Sequence, residues 1–192
     1  LFRSRPDEGA VFLDDQDVTK VPMYKRARLG LGYLPQESSI FKKLTVEENV
    51  FILWEIIQNV PRSEFDQRLS TLLDEMGISH LRKARGVELS GGEKRRVEIV
   101  RALAMDPSFI LLDEPFAGID PIAVQDIQSI IRNLKKRGLG IVITDHNVRE
   151  TLEITDRAYL IHQGKLALSG SSQEIINDPT ARKFYLGENF TL

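Results

Sequence analysis

Two short apolar runs in the second half of the chain each end in ionisable residues. Residues 109–112 run into Asp113 and Glu114, and residues 139–144 run into Asp145 and His146. Apolar runs of this length between turn signals read as buried strands. Parallel strands gather their ligands beyond their carboxyl ends. If the two strands are neighbours, carboxylates and an imidazole converge on one sheet edge. A carboxylate there can hold Mg2+ directly or through water, and its neighbour can orient or deprotonate an attacking water. That chemistry suits phosphoanhydride hydrolysis. Acids at a strand end can equally cap the loop that follows, so the Asp-Glu pair alone decides nothing.

The segment Leu89-Ser90-Gly91-Gly92-Glu93 adds a second kind of signal. Ser90 and Glu93 make an S-x-x-E capping box, which puts both glycines in the first helical turn. Each glycine costs the helix about 1 kcal/mol. The return is bare backbone N–H groups that an anion can approach at the positive helix end. An ordinary helix start explains the serine but not the paired glycines, so a phosphate-binding reading of Ser90, Gly91 and Gly92 is preferred.

Several elements must position these residues. Short strands are expected at 10–13 and 31–34, around a turn-rich segment at 14–28. Thr45 and Glu48 form another capping box, opening a helix towards Asn59. After Pro61, Ser63 starts a second helix with Phe65, Leu69, Leu72, Leu73 and Met76 on one side and Gly77 at its close. Asp120-Pro121 opens a helix with Val124, Ile127, Ile131 and Leu134 on one face and Gly138 beyond its end. Strand, helix, strand at this spacing is a parallel βαβ unit. A closing hairpin is expected from 159–161 and 166–168 around Gln163-Gly164, followed by short terminal helices. The Thr45 helix is apolar on more than one face. Val46, Val50, Leu53, Trp54 and Ile57 form one stripe, with Phe51, Ile52 and Ile56 beside it. The surplus reads as a groove for another protein or as burial between two lobes.

Composition narrows the function classes. The 192 residues are 42% hydrophobic and 28% charged, as in ordinary globular proteins. Lys and Arg number 26 against 28 Asp and Glu, for a net charge of −2, which gives no electrostatic basis for nucleic-acid binding. With no cysteine, disulfide scaffolds, thiolate metal sites and cysteine nucleophiles are excluded. His80, His146 and His162 do not sit at metal-ligand spacing. No apolar run is long enough to cross a bilayer, and a cytoplasmic location is expected. The chain opens on Leu1, and residues 1–5 read as the tail of an element already under way, so a fragment is expected. The basic clusters at 94–96 and 135–137 read as solvated helix faces.

Together the motifs resemble those of ABC-transporter nucleotide-binding domains. Leu89-Ser90-Gly91-Gly92-Glu93 resembles their signature, and Phe109-Ile110-Leu111-Leu112-Asp113-Glu114-Pro115 their Walker B strand. Gln36 in Tyr33-Leu34-Pro35-Gln36 matches the Q-loop, Ala117-Gly118-Ile119-Asp120 the D-loop, and His146 the switch histidine. The resemblance implies an α/β fold: a P-loop NTPase (RecA-like) ABC ATPase core with a helical subdomain and antiparallel strands, N-terminally truncated. It implies one partial domain over 1–192, with a β-rich part and Q-loop at 1–36. A helical subdomain with the signature would follow at 37–96, and a RecA-like part at 97–192.

By the same resemblance, ATP and Mg2+ are the cofactors. Asp113 and Gln36 support Mg2+, Glu114 is the catalytic base, and His146 contacts the γ-phosphate. Ser90, Gly91 and Gly92 bind ATP held by the opposite subunit of a head-to-tail homodimer, and Asp120 crosses the interface. Transmembrane permease subunits are the implied partners, with Phe41 as the coupling residue, so membrane contact at the inner face runs only through them.

Four runs are similar to the lipopolysaccharide-export ATPases: Gly32-Tyr33-Leu34-Pro35-Gln36-Glu37, Glu114-Pro115-Phe116-Ala117-Gly118, Thr144-Asp145-His146-Asn147-Val148-Arg149-Glu150-Thr151 and Tyr185-Leu186-Gly187-Glu188. Branched-chain amino-acid importer ATPases are similar over much of the same length. A non-transport ABC ATPase is disfavoured by the short interval from Gln36 to Ser90. A non-catalytic remnant is disfavoured by the intact Gln36, Glu114 and His146. One family motif has no counterpart: the chain contains no G-x-x-x-x-G-K-[ST]. Without that lysine and loop the triphosphate loses its cradle, so these residues alone are expected to bind ATP poorly.

Overall fold

A computed structural model describes residues 6–58 and 60–186. Residues 1–5, Asn59 and the Gly187-Glu188 end of the last motif lie outside the described residues, as do the side chains of Ile57 and Tyr185. The strand expected at 10–13 is shortened to β1 (Phe12–Leu13), which pairs antiparallel with β2 (Gln16–Asp17), a strand inside the segment expected to be turns. Helix α1 (Met23–Arg28) then leads into β3 (Leu31–Leu34). β3, β4 (Phe109–Asp113) and β5 (Gly140–Thr144) make a parallel sheet in that order. Register sets Tyr33 beside Leu111 and Leu111 beside Val142.

The helical region between β3 and β4 begins at the expected capping box. Thr45 N donates to Glu48 Oε2 at 2.7 Å and Glu48 N donates to Thr45 Oγ1 at 3.3 Å, starting α2 (Val46–Leu53). A π-helical turn, Trp54–Gln58, prolongs it. α3 (Arg62–Glu75) starts one residue before Ser63, with Pro61 at its cap. Gly77, at φ +65°, turns the chain out of that helix. α4 (Gly91–Leu103) follows Ser90, and the division expected at residue 96 falls inside it. α5 (Pro121–Lys136) returns along the sheet to β5.

After α6 (Val148–Leu152) come β6 (Arg157–His162) and β7 (Lys165–Ser171), a hairpin that forms its own two-stranded sheet. Its turn residues Gln163 and Gly164 both have positive φ, at 48° and 74°. That geometry matches the twist of the flanking strands. α7 (Ser172–Asn177) and α8 (Pro179–Ala181) close the described part. Among the described residues no helix is long and apolar enough to cross a membrane.

One apolar core joins the helical region to the sheet. It runs from Val50, Trp54, Phe65 and Leu69 through Val97 and Val100 to Ile110, Leu112, Ile127 and Ile131. Trp54, Phe51 and Phe65 form a triangle of rings with centroids 4.9–6.1 Å apart, and Trp54 Nε1 donates to Ala104 O at 2.8 Å. The surplus apolar surface of α2 is thereby resolved. Val46, Val50 and Trp54 are buried and Phe51 packs against the core, whereas Ile56 remains 70% exposed. A smaller cluster of Leu152, Ile175, Ile176 and Ala181 covers one face of the β6–β7 hairpin. Tyr159, Ile161 and Leu166 on that hairpin are exposed.

Candidate active site

β4 and β5 end side by side, with Asp113 registered against Thr144. Thr144 Oγ1 donates to Asp113 Oδ1 at 2.6 Å, and Tyr33 Oη donates to Asp113 Oδ2 at 3.1 Å. The central strand's carboxylate is thus oriented from both neighbouring strands. Glu114 leaves the strand with φ +43° while its N–H donates to Thr144 O at 2.7 Å. A left-handed backbone is uncommon for a residue with a side chain and needs surrounding structure to hold it. Glu114 Oε2 accepts from Gln36 Nε2 at 2.7 Å and lies 3.3 Å from His146 Nδ1. Gln36, Asp113, Glu114 and His146, four residues singled out by sequence, therefore share one sheet edge.

Asp145 takes a different part from its neighbours. Its side chain is fully buried. Oδ2 accepts the Phe116 N–H at 3.2 Å, and Oδ1 accepts the Asn147 N–H at 2.8 Å and Nδ2 at 2.9 Å. It braces the loop after β5 against the loop after β4, leaving His146 exposed at 68% of its side chain.

The reading of residues 94–96 as a solvated face is corrected for two of the three. Arg95 is buried, donating to the carbonyls of Pro35, Asp113 and Glu114 and pairing with buried Glu98 at 3.2 Å. Arg96 bonds to Met76 O and to Asp126. Sequence reasoning passed over Arg95 because its partners come from loops far away in sequence. The one local sign was Glu98, three residues on, an acid on the same helix face.

Ser90 and Glu93 cap α4 reciprocally, with Ser90 N donating to Glu93 Oε2 at 2.7 Å. The Ser90 N–H, then its hydroxyl, holds the Glu93 carboxyl below the ordinary glutamate range. The two glycines differ. A Cβ on Gly92 would stand 3.0 Å from Ala123 Cβ, so α5 packs closely there and must give slightly to admit a side chain. A Cβ on Gly91 would meet nothing nearer than 3.8 Å. Asp120 caps α5 by accepting from the Ile122 and Ala123 N–H groups at 3.1 and 2.9 Å.

Phe41 lies apart from the Gln36–Glu114 edge, 45% exposed, with the Arg101 guanidinium 5.0 Å from its ring centroid. Buried Asn49 fixes its backbone, accepting from Phe41 N at 2.8 Å and donating to Phe41 O at 3.1 Å.

Mg2+ needs only one or two protein oxygens when waters and phosphates complete its shell. Asp113 supplies one, and Gln36 Oε1 a second because Nε2 is spent on Glu114. The donor set fits that ion. A carboxylate, an imidazole and an amide facing the same space can take a proton from water and donate to phosphate oxygens.

The ABC transporter family matches residues 2–117. Over 188 residues the chain is 55% identical to the lipopolysaccharide export system ATP-binding protein LptB of Acidithiobacillus ferridurans, spanning 98% of this chain and 78% of that protein. It is 56% identical over 187 residues to an uncharacterised ABC transporter ATP-binding protein of Rhizobium meliloti, spanning 97% of this chain and 68% of that one. Among solved structures, the ADP conformation of MJ1267, an ATP-binding cassette of an ABC transporter, is similar with TM-score 0.82. That match is at 27% identity over 96% of this chain and 79% of that chain.

Proposed function

This chain belongs to the ABC transporter family, with the ABC ATPase cassette fold, and we propose that it powers lipopolysaccharide extraction and export from the inner membrane by hydrolysing ATP. The observation that carries the catalytic part is the meeting of Gln36 and His146 on Glu114 Oε2, beside Asp113. The substrate class rests on the likeness to the lipopolysaccharide export proteins.

In this reading residues 1–192 form one partial ATPase domain. Glu114 accepts the proton of the attacking water, and His146 donates to the γ-phosphate. Asp113 and Gln36 would hold Mg2+, which when bound screens the phosphate charge. Two copies pair head to tail, so that Ser90, Gly91 and Gly92 of one reach the ATP of the other and Asp120 lies at the junction. Phe41 and its surroundings receive the membrane subunits at the cytoplasmic face. Residues 1–192 contain no G-x-x-x-x-G-K-[ST] segment, and by themselves they hold ATP weakly.

MgATP binding and hydrolysis by this chain, mass-verified, should be compared with the chain joined to a phosphate-loop strand and helix. Turnover only in the joined protein, abolished by Glu114→Gln, is expected. Turnover by this chain alone would refute the proposed ATP deficiency. Turnover surviving Glu114→Gln in the joined protein would refute the assignment of the base.

A further inference from the structure

α4 carries Arg95, Glu98 and Arg101 at three-residue intervals, so they share one face. Each holds a different stretch of the chain after β3 or β4. Arg95 Nη1 donates to Pro35 O at 2.8 Å, and Nη2 donates to Asp113 O at 3.1 Å and Glu114 O at 3.3 Å. Glu98 accepts from Ser38 Oγ at 2.8 Å and Ser39 N at 2.7 Å. Arg101 donates to Ser39 O and lies over the Phe41 ring. The Arg95 and Glu98 side chains are 7% and 2% exposed.

A buried ion pair is an inefficient way to gain stability, because apolar residues of the same volume serve as well or better. What this pair supplies is geometry. Gln36 directly follows Pro35, and Glu114 holds a left-handed backbone whose carbonyl Arg95 binds. We propose that Arg95 is a positioning residue: it sets Gln36 and Glu114 against each other through their backbones. Glu98 extends the same restraint to the segment leading to Phe41. Arg95 touches no reacting atom. This inference rests on the roles of Glu114 and Gln36 proposed above.

Loss of Arg95 frees the Glu114 backbone to relax and swings its carboxylate away from the water, while the groups that bind ATP stay in place. The effect belongs in kcat and not in KM. The test uses the chain joined to its phosphate-loop segment, with Arg95→Met, Arg95→Lys and the double variant Arg95→Met/Glu98→Leu. The double variant removes both buried charges and so keeps the experiment informative if Arg95→Met fails to fold.

A fall in kcat of about 100-fold is expected for Arg95→Met and for the double variant, with KM for ATP within about twofold. Arg95→Lys should recover part of it. Hydrogen exchange in residues 34–39 and 113–117 should quicken in the slow variants, while the urea midpoint of the double variant stays near the parent's. A stable double variant with parental kcat overturns the proposal, as does a rise in KM at unchanged kcat. Glu114→Gln run in parallel separates the two failures. If it retains turnover, the site reading itself is wrong. If it is inactive while the double variant is fast, only the positioning role falls.

Discussion

Gln36 and Glu114, 78 positions apart in sequence, share a hydrogen bond of 2.7 Å that joins the loop after β3 to the loop after β4. Replacing the amide by a carboxylate sets two like charges at that separation, which repel and drive the Glu114 side chain from its place. Gln36→Glu and Gln36→Ala in the joined protein should both lower kcat, the charged variant by more. Parental turnover in Gln36→Glu would remove the Gln36–Glu114 contact from the reaction.

The glycines of the signature should part company on substitution. Gly92→Ala forces its new Cβ against Ala123, so α4 and α5 must separate by a few tenths of an ångström. A net loss of about 1 kcal/mol in urea unfolding is expected. Gly91→Ala meets open space and gains helix propensity, stabilising by about 0.5–1 kcal/mol. It should nevertheless weaken ATP-dependent pairing of the joined protein, read by light scattering in a Glu114→Gln background. Undiminished pairing would leave Gly91 without a phosphate role.

Trp54 is the bolt between the helical region and the sheet. Truncating this buried indole to Ala leaves a cavity and strips Ala104 O of its donor. About 3–5 kcal/mol should be lost, measured by circular dichroism during urea unfolding. Trp54→Phe keeps most of the volume and should lose about 1–3 kcal/mol, chiefly for the unpartnered carbonyl.

Acid should act on the start of α4. Glu93 titrates below the ordinary glutamate range because it accepts from the Ser90 backbone and hydroxyl. A folded-state value below the unfolded one stabilises at neutral pH, and that contribution is lost as pH falls through the folded-state value. Glutamine at the same position keeps a capping group without titrating. The parent's stability advantage over Glu93→Gln should be largest near neutrality and shrink in acid. A difference independent of pH from neutrality into acid would contradict it.

Phe41→Ala removes an exposed ring whose backbone anchors to Asn49 are untouched. Unfolding should shift by less than about 1 kcal/mol, mostly from the lost Arg101 contact. Transport in the assembled system should uncouple from hydrolysis, and unaltered transport would count against the coupling assignment.

What could be read from sequence was what is decided locally. The Thr45–Glu48 and Ser90–Glu93 boxes close within four residues, and both occur as written. Asp113, Glu114 and His146 were legible because they cluster at the ends of two apolar runs, although β5 proves half-exposed where a buried strand was expected. Arg95 was not, because a basic triplet on a helix reads as solvated, and its burial is decided by Pro35, 60 positions away. Asp145 was taken with its neighbours, yet it turns inward because the Phe116 and Asn147 N–H groups await an acceptor. The closing hairpin was evident from its turn, but its separation from the parallel sheet depends on strand neighbours that no local pattern records.

The pairing of β3 with β4 also sets an order of assembly. β3 is made before β4, its partner, which appears only after α2, α3 and α4. Non-local parallel pairing of this kind folds slowly. In the interval Leu31 and Leu34 lack β4 beside them, while α2 and α3 can already collapse around Trp54 and Phe65. Synthesis therefore favours a nascent chain whose helical region is compact before the edge that joins Gln36 to Glu114 exists. Gln36 waits without its hydrogen-bond partner until Glu114 arrives.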